Sequence, residues 1–159
     1  TDIPGVRVVI VGDGPLRDAL ARRLPRAQLL GFLSGTDLSV AYASLDLFVH
    51  TGADETFCQA AQEAKASGLP VVAPAAGGLL DLVEPGRTGL LYRPDDLGGL
   101  RAAVATLARD AALRTRMGRA ARRSVAGRGW ESVGDELIEH YAATCGRRPR
   151  DTRTRGAAA

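Results

Sequence analysis

Short β-branched runs alternate with stretches of helical periodicity along the first two thirds of the chain, and this alternation limits the fold more than any other feature. Val6–Val11 (VRVVIV) reads as a strand buried on both faces. It runs into Gly12-Asp13-Gly14-Pro15, after which Leu16, Ala19, Leu20 and Leu24 recur at helical spacing. Pro15 suits the first helical position, where its missing N–H costs nothing. Further strands are predicted over Ala27–Leu30, Leu45–Val49, Pro70–Ala73 and Gly89–Tyr92. Between them, a helix capped by Thr36 or Asp37 runs to about Ala43, and another covers Phe57–Ser67 before Gly68 stops it. Gly77-Gly78 reads as a loop and Leu79–Val83 as a helical turn. Beyond Tyr92 only helices are expected, over roughly 96–109 (capped at Asp95-Asp96), 110–125 and 131–143.

Strands separated by helical segments predict βαβ units, a parallel sheet and right-handed crossovers that place helices on both faces. The expected fold is therefore α/β, a doubly wound parallel sheet with a helical carboxy-terminal extension. In such sheets ligands bind beyond the carboxyl ends of the strands. Three of those ends are unusually polar or glycine-rich here: Gly12–Pro15, His50–Phe57 and Pro74–Gly78.

Composition removes several function classes. At 159 residues one core forms comfortably, and no apolar run approaches the roughly 20 residues of a membrane span. Two cysteines, Cys58 and Cys145, are too few for a disulfide framework and too sparse to suggest a zinc site. No signal-peptide pattern opens the chain, so a cytoplasmic location is expected. A first residue of Thr1 and an almost immediate strand lead us to expect a piece of something longer. The net charge of +3 is local, because residues 146–159 hold five arginines and one aspartate, +4, leaving −1 for the rest. That segment reads as an Arg-rich disordered tail after a domain over 1–145. A nucleic-acid footprint belongs on a folded face, so nucleic acid is not expected as a partner.

Gly12-Asp13-Gly14-Pro15 could bring backbone close to an anion or could simply turn a strand into a helix. It lacks the third glycine and the later acidic residue of a dinucleotide fingerprint, which disfavours a nicotinamide dehydrogenase. Glu55 and Glu63 lie eight positions apart, one just before the helix and one within it. On a helical wheel Phe57, Ala60, Ala61 and Ala64 form a buried stripe, and Glu63 lies about 110° from its centre, beside Gln59. Amides of Phe57, Cys58 and Gln59 at the helix start would favour a phosphate, and carboxylates can accept from sugar hydroxyls. The bland alternative is a dipole-favouring Glu55 and a solvated Glu63.

The run Glu55–Glu63, with Ala64, Ser67-Gly68-Leu69-Pro70-Val71-Val72-Ala73, Gly77-Gly78, Asp81-Leu82-Val83 and Gly86–Leu91, resembles the carboxy-terminal domain of retaining GT-B glycosyltransferases of family four, or "group 1". Val9–Pro15 and the Trp130-Glu131…Tyr141 stretch fit the same Rossmann-like half, so the resemblance covers about residues 5–143. Glu-Thr-Phe-x-Gln and Pro70–Gly78 look most like actinobacterial mannosyltransferases acting on lipid-linked acceptors. The usage of 20 arginines against Lys65 alone fits a GC-rich bacterial genome.

The resemblance implies roles for particular residues. Glu55 would contact donor-sugar hydroxyls and is the candidate catalytic residue, while Glu63 would bind the nucleotide ribose. Amides of Phe57, Cys58 and Gln59 would hold the diphosphate, Gly12 and Gly14 would line the nucleotide side, and Gly77-Gly78 would close the cleft. The implied donor is GDP-mannose or a UDP-hexose. The reaction would proceed with retention and without a metal cofactor, in keeping with the lack of an Asp-x-Asp or His cluster of hard ligands. An amino-terminal domain that binds the acceptor would be the missing partner. The 131–143 helix would cross onto it, leaving an apolar patch, and the full-length enzyme could associate peripherally with the inner face of the plasma membrane.

Three departures from the family pattern matter. Cys58 stands where glycine is common, so its β-carbon should crowd the phosphate or shift the turn. Thr51-Gly52 replaces Pro-Ser, and the cationic diphosphate-binding pair would precede the first strand. A helix amino terminus should lower the Cys58 pKa, yet no paired base is evident and a nucleophilic role is disfavoured. His50 reads as a hydrogen-bonded wall residue. The alternatives kept open are a non-catalytic nucleotide-binding or docking module and a GT-B epimerase or phosphorylase.

Overall fold

The computed structural model describes residues 3–127 and 129–146. Its elements are β1 (Val9–Val11), α1 (Arg17–Arg23), β2 (Gln28–Gly31), α2 (Gly35–Ala43), β3 (Phe48–Val49), α3 (Gln59–Ala66), β4 (Val71–Pro74), α4 (Leu79–Leu82), β5 (Gly89–Tyr92), α5 (Leu97–Arg109), α6 (Ala111–Val125) and α7 (Trp130–Thr144). Every strand pair is parallel, so helices supply the crossovers that the alternating sequence demands. The hydrogen-bonded ladder falls into two groups, β1 with β2 and β3-β4-β5 in order.

Several boundaries differ from the sequence expectation for local reasons. The Val6 amide turns back to Ile3 O, so the first strand begins only at Val9. The Leu45 amide bonds back to Tyr42 O in the last turn of α2, which shortens the third strand to Phe48–Val49. Ser34 occupies the N-cap of α2, putting Thr36 and Asp37 inside its first turn instead of at the cap. Pro15 precedes the Leu16 N-cap of α1 and so belongs to the turn, not to the first helical position. Asp96 does cap α5, accepting from Gly99 N at 2.8 Å.

The core sits around β4, whose four residues are all buried. Val71 and Ala73 pack with Tyr42, Ala61, Ala64, Leu79 and Val83 from α2, α3 and the α4 region. Val72 packs with Ala103, Val104, Leu107 and Met117 of α5 and α6. Successive side chains on a strand point to opposite faces, so this division puts helices over both faces of the sheet. Full burial of each valine stabilises the fold by about 1.5–3 kcal/mol. The same packing fixes β4 as the floor from which the loops after β3 and β4 rise.

The chain divides into two compact units after Val125. The first holds all five strands and α1–α6; the second holds α7, on which Val133, Leu137, Ile138 and Tyr141 are exposed. No described helix is long and apolar enough to cross a membrane. Apart from Gly146, the Arg-rich tail lies outside the described residues.

Candidate functional site

The site begins where β3 ends. His50 stays on the ladder through its amide, which donates to Val72 O at 2.9 Å, while its carbonyl accepts from the Tyr92 hydroxyl at 3.3 Å. The chain then loops to Cys58, which takes a left-handed backbone conformation (φ 43°) and serves as the N-cap of α3. The helix therefore starts at Gln59, two residues later than the sequence predicts. The left-handed turn exchanges the expected roles of two side chains: Phe57 is 65% exposed and Cys58 only 4%. Phe57 is thus not part of the buried stripe, which keeps Ala61 and Ala64.

Glu55 is held through both its backbone and its side chain. Its Oε2 accepts from the Cys58 amide at 3.3 Å, and its Oε1 lies 3.6 Å from His50 Nε2. Its carbonyl accepts from Gly78 N at 2.8 Å. A β-carbon at Gly77 would run into Glu55 O, and one at Gly78 into Thr56 O. Gly77 also has a positive φ of 51°. The two glycines are therefore required for one backbone to lie directly on another, which fastens the loop after β4 onto the loop carrying Glu55.

Glu63 sits half-buried on α3. Its Oε1 accepts from Gln59 Nε2 at 3.2 Å, and its Oε2 lies 3.3 Å from the Tyr42 hydroxyl. That hydroxyl also reaches Ala60 O at 3.2 Å, so one phenolic proton serves two acceptors. Burial, reinforced by the Glu63 carboxylate, pushes the Tyr42 phenol up to about 12. Sequence reasoning missed Tyr42, whose place in the helix preceding β3 carried no motif. Its role depends on α2 lying against α3.

Hydrogen bonds and backbone packing thus bring Glu55, Cys58, Gln59, Glu63, Gly77 and Gly78 into one neighbourhood. Phe57 is beside them with its carbonyl accepting from Gln62 Nε2 at 3.3 Å and its ring outward. Gly12 and Gly14 belong to the β1–β2 end of the fold. The Gly12 amide donates to Gly31 O at 2.7 Å, and the Gly14 amide to Asp13 Oδ1 at 2.8 Å. They line a depression of about 360 Å³ with Ile10, Leu16, Leu20 and Leu29.

The environment of Cys58 differs from expectation in two respects. Burial pushes its thiol pKa up, with the Glu55 carboxylate adding to the rise and the Ala61 amide opposing it, so the helix terminus does not win. A paired base is also present: Cys58 Sγ lies 3.6 Å from His50 Nδ1. The sequence could not show this because a strand end and a left-handed turn, eight residues apart, make the approach. A thiol this buried and this hard to ionise is still a poor nucleophile.

Parallel strands covered by helices on both faces, with the polar residues gathered beyond the strand ends, define a Rossmann-like α/β domain, a fold whose ligands bind at that carboxyl edge. The sequence profile described as "Glycosyl transferases group 1" matches residues 1–110, and the chain belongs to that family. It is 54% identical over 144 residues to a GDP-mannose-dependent alpha-mannosyltransferase of Mycolicibacterium smegmatis, covering 90% of this chain and 38% of that protein. A Corynebacterium glutamicum protein of the same description is 44% identical over 137 residues, covering 86% and 33%. The crystal structure of Anabaena Alr3699/HepE in complex with UDP superposes with a TM-score of 0.78 at 27% identity, over 88% of this chain and 42% of that one. The fold is that of one half of a GT-B glycosyltransferase, and the chain spans less than two fifths of the length of these mannosyltransferase relatives.

Proposed function

We propose that this chain forms the donor-binding half of a retaining glycosyltransferase that moves a hexose, mannose from GDP-mannose, to an acceptor, with lipid acceptors the leading class. The observation that carries the reading is the pairing of Glu55 and Glu63 across the start of α3, one clamped by Gly77-Gly78 and the other oriented by Tyr42 and Gln59. Similarity to GDP-mannose-dependent enzymes supports the donor, and the UDP complex of the structural relative supports a nucleoside diphosphate.

In the resting site Glu55 covers the amide that a diphosphate would use, since Cys58 N donates to Oε2. Donor binding exchanges the two: the phosphate takes the amide, and the freed carboxylate turns to the sugar hydroxyls. Amides at the start of α3 then stabilise the growing charge on the leaving diphosphate, without a metal cofactor. Glu63 accepts from the ribose, and Gly12 and Gly14 line the nucleotide side. Acceptor binding belongs to an amino-terminal domain, and the enzyme works at the cytoplasmic face of a membrane.

The test is ligand-observed NMR of the 159-residue chain with GDP, UDP and NAD, repeated on Glu63→Ala. Saturation transfer to GDP that exceeds UDP and is lost in the variant supports the reading. Silence from the folded chain overturns donor binding by this half and favours a docking module, while an NAD signal overturns the nucleotide-sugar assignment.

A further inference from the structure

Three side chains beyond the end of β3 make a cluster that donor binding uses only in part. The ligating atoms of His50, Glu55 and Cys58 lie within 4.8 Å of one another. Two of the contacts are much closer, with Cys58 Sγ 3.6 Å from His50 Nδ1 and His50 Nε2 3.6 Å from Glu55 Oε1. His50 Nε2 is buried and has no hydrogen-bond partner within 3.5 Å. Its ring folds back over Gly52, where a β-carbon would stand 3.1 Å from Nε2. A buried polar nitrogen left in this state is destabilising unless something coordinates it.

Imidazole, carboxylate and thiolate together are the donor set of a tetrahedral zinc site with one position open. Bonds of about 2.0–2.3 Å hold tetrahedral ligands roughly 3.3–3.8 Å apart, and an imidazole gives one ion only one of its nitrogens, so one 3.6 Å spacing fits at a time, Nε2 with Glu55 Oε1 or Nδ1 with Cys58 Sγ. The remaining spacings, all within 4.8 Å, close by roughly 1 Å, and Glu55, whose side chain is 36% exposed, has room to move. The sulfur and nitrogen ligands select against magnesium and calcium, which require oxygen cages. We infer that His50, Glu55 and Cys58 bind a zinc-class divalent cation, and that the bound ion blocks the donor site. The blocking half rests on the donor-binding reading: coordination takes the carboxylate that would face the sugar. The Cys58 proton is released to solvent as its sulfur bonds to the metal.

Cobalt titration of the full chain without nucleotide tests the site itself. One equivalent should give tetrahedral Co²⁺ absorption with a thiolate charge-transfer band. Cys58→Ser and Cys58→Gly should both lose that band; the glycine variant guards against a folding failure, because its backbone suits the left-handed turn. His50→Ala should weaken binding by at least about tenfold, in line with the effect of even outer-shell changes on metal affinity. Cys145→Ser should leave the band intact, since Cys145 is the exposed thiol and the obvious adventitious ligand. A band that survives both Cys58 variants, or that disappears with Cys145→Ser, overturns the site. In a second arm one equivalent of Zn²⁺ should abolish the NMR signal of bound GDP in the parent chain. It should spare that signal in His50→Ala, read against the same variant without zinc, which controls for zinc captured by the nucleotide. GDP retained alongside bound zinc overturns the blocking half. GDP that fails to bind even without zinc overturns the donor reading and the block with it, while the cobalt result stands alone.

Discussion

Cys58 carries the backbone through a φ of 43° while its side chain is almost wholly buried, two demands that pull in opposite directions. The left-handed conformation costs an L-residue roughly 1–2 kcal/mol that glycine avoids. Comparing Cys58→Gly with Cys58→Ala isolates this strain, because both lose the thiol and only alanine keeps a β-carbon. The glycine variant should be the more stable by about 1 kcal/mol in urea unfolding. Tyr42 gives a second test. Its phenol is neutral in the fold and titrates near 12 instead of the ordinary 10.0. A group whose pKa rises on folding contributes its stability in full below the unfolded value and loses it as pH climbs through the folded one. Stability should therefore fall between pH 10 and 12, and Tyr42→Phe should flatten that fall. Neither effect was legible in the sequence. Cys58 was visible as an odd residue in a glycine position, but its conformation depends on where α3 starts. Tyr42 acquires its role only when α2 and α3 meet.

At the scale of elements, the loop after β4 and the loop before α3 behave as one piece. Gly78 donates to Glu55 O, and β-carbons at Gly77 or Gly78 would strike the carbonyls of Glu55 and Thr56. Gly78→Ala should consequently destabilise the chain by about 1–3 kcal/mol, the usual cost of overpacking a tight contact. It should also weaken GDP binding, because relief of the clash displaces the Thr56–Phe57 peptide and with it the Phe57 amide. Denaturation midpoints and NMR titration check the two halves of this prediction. The glycines themselves were readable as a loop near the site, and β5 has the bounds that the sequence predicts. The starts of the first and third strands were not readable, since the amides of Val6 and Leu45 are claimed by local turns. Those competing hydrogen bonds decide the boundaries, and apolar pattern carries no information about them.

For the molecule as a whole, alternating strand and helix periods were enough to specify a parallel α/β core, because a strand buried on both faces admits few other arrangements. The glutamate pair was legible too, as two carboxylates flanking a helix start. The site's assembly was not, since it joins α2, the β3 end, α3 and the loop after β4, four segments that only the fold brings together. Val133, Leu137 and Tyr141, spaced four apart on α7, are all exposed and make an apolar stripe along that helix.

The most direct measurement is an amide-shift map of the isotope-labelled chain titrated with GDP. The account predicts shifts concentrated at Glu55–Glu63 and Gly77-Gly78, joined by Gly12 and Gly14 on the nucleotide side, all lost together in Glu63→Ala. Shifts confined to other surfaces, or none in a folded chain, would contradict it.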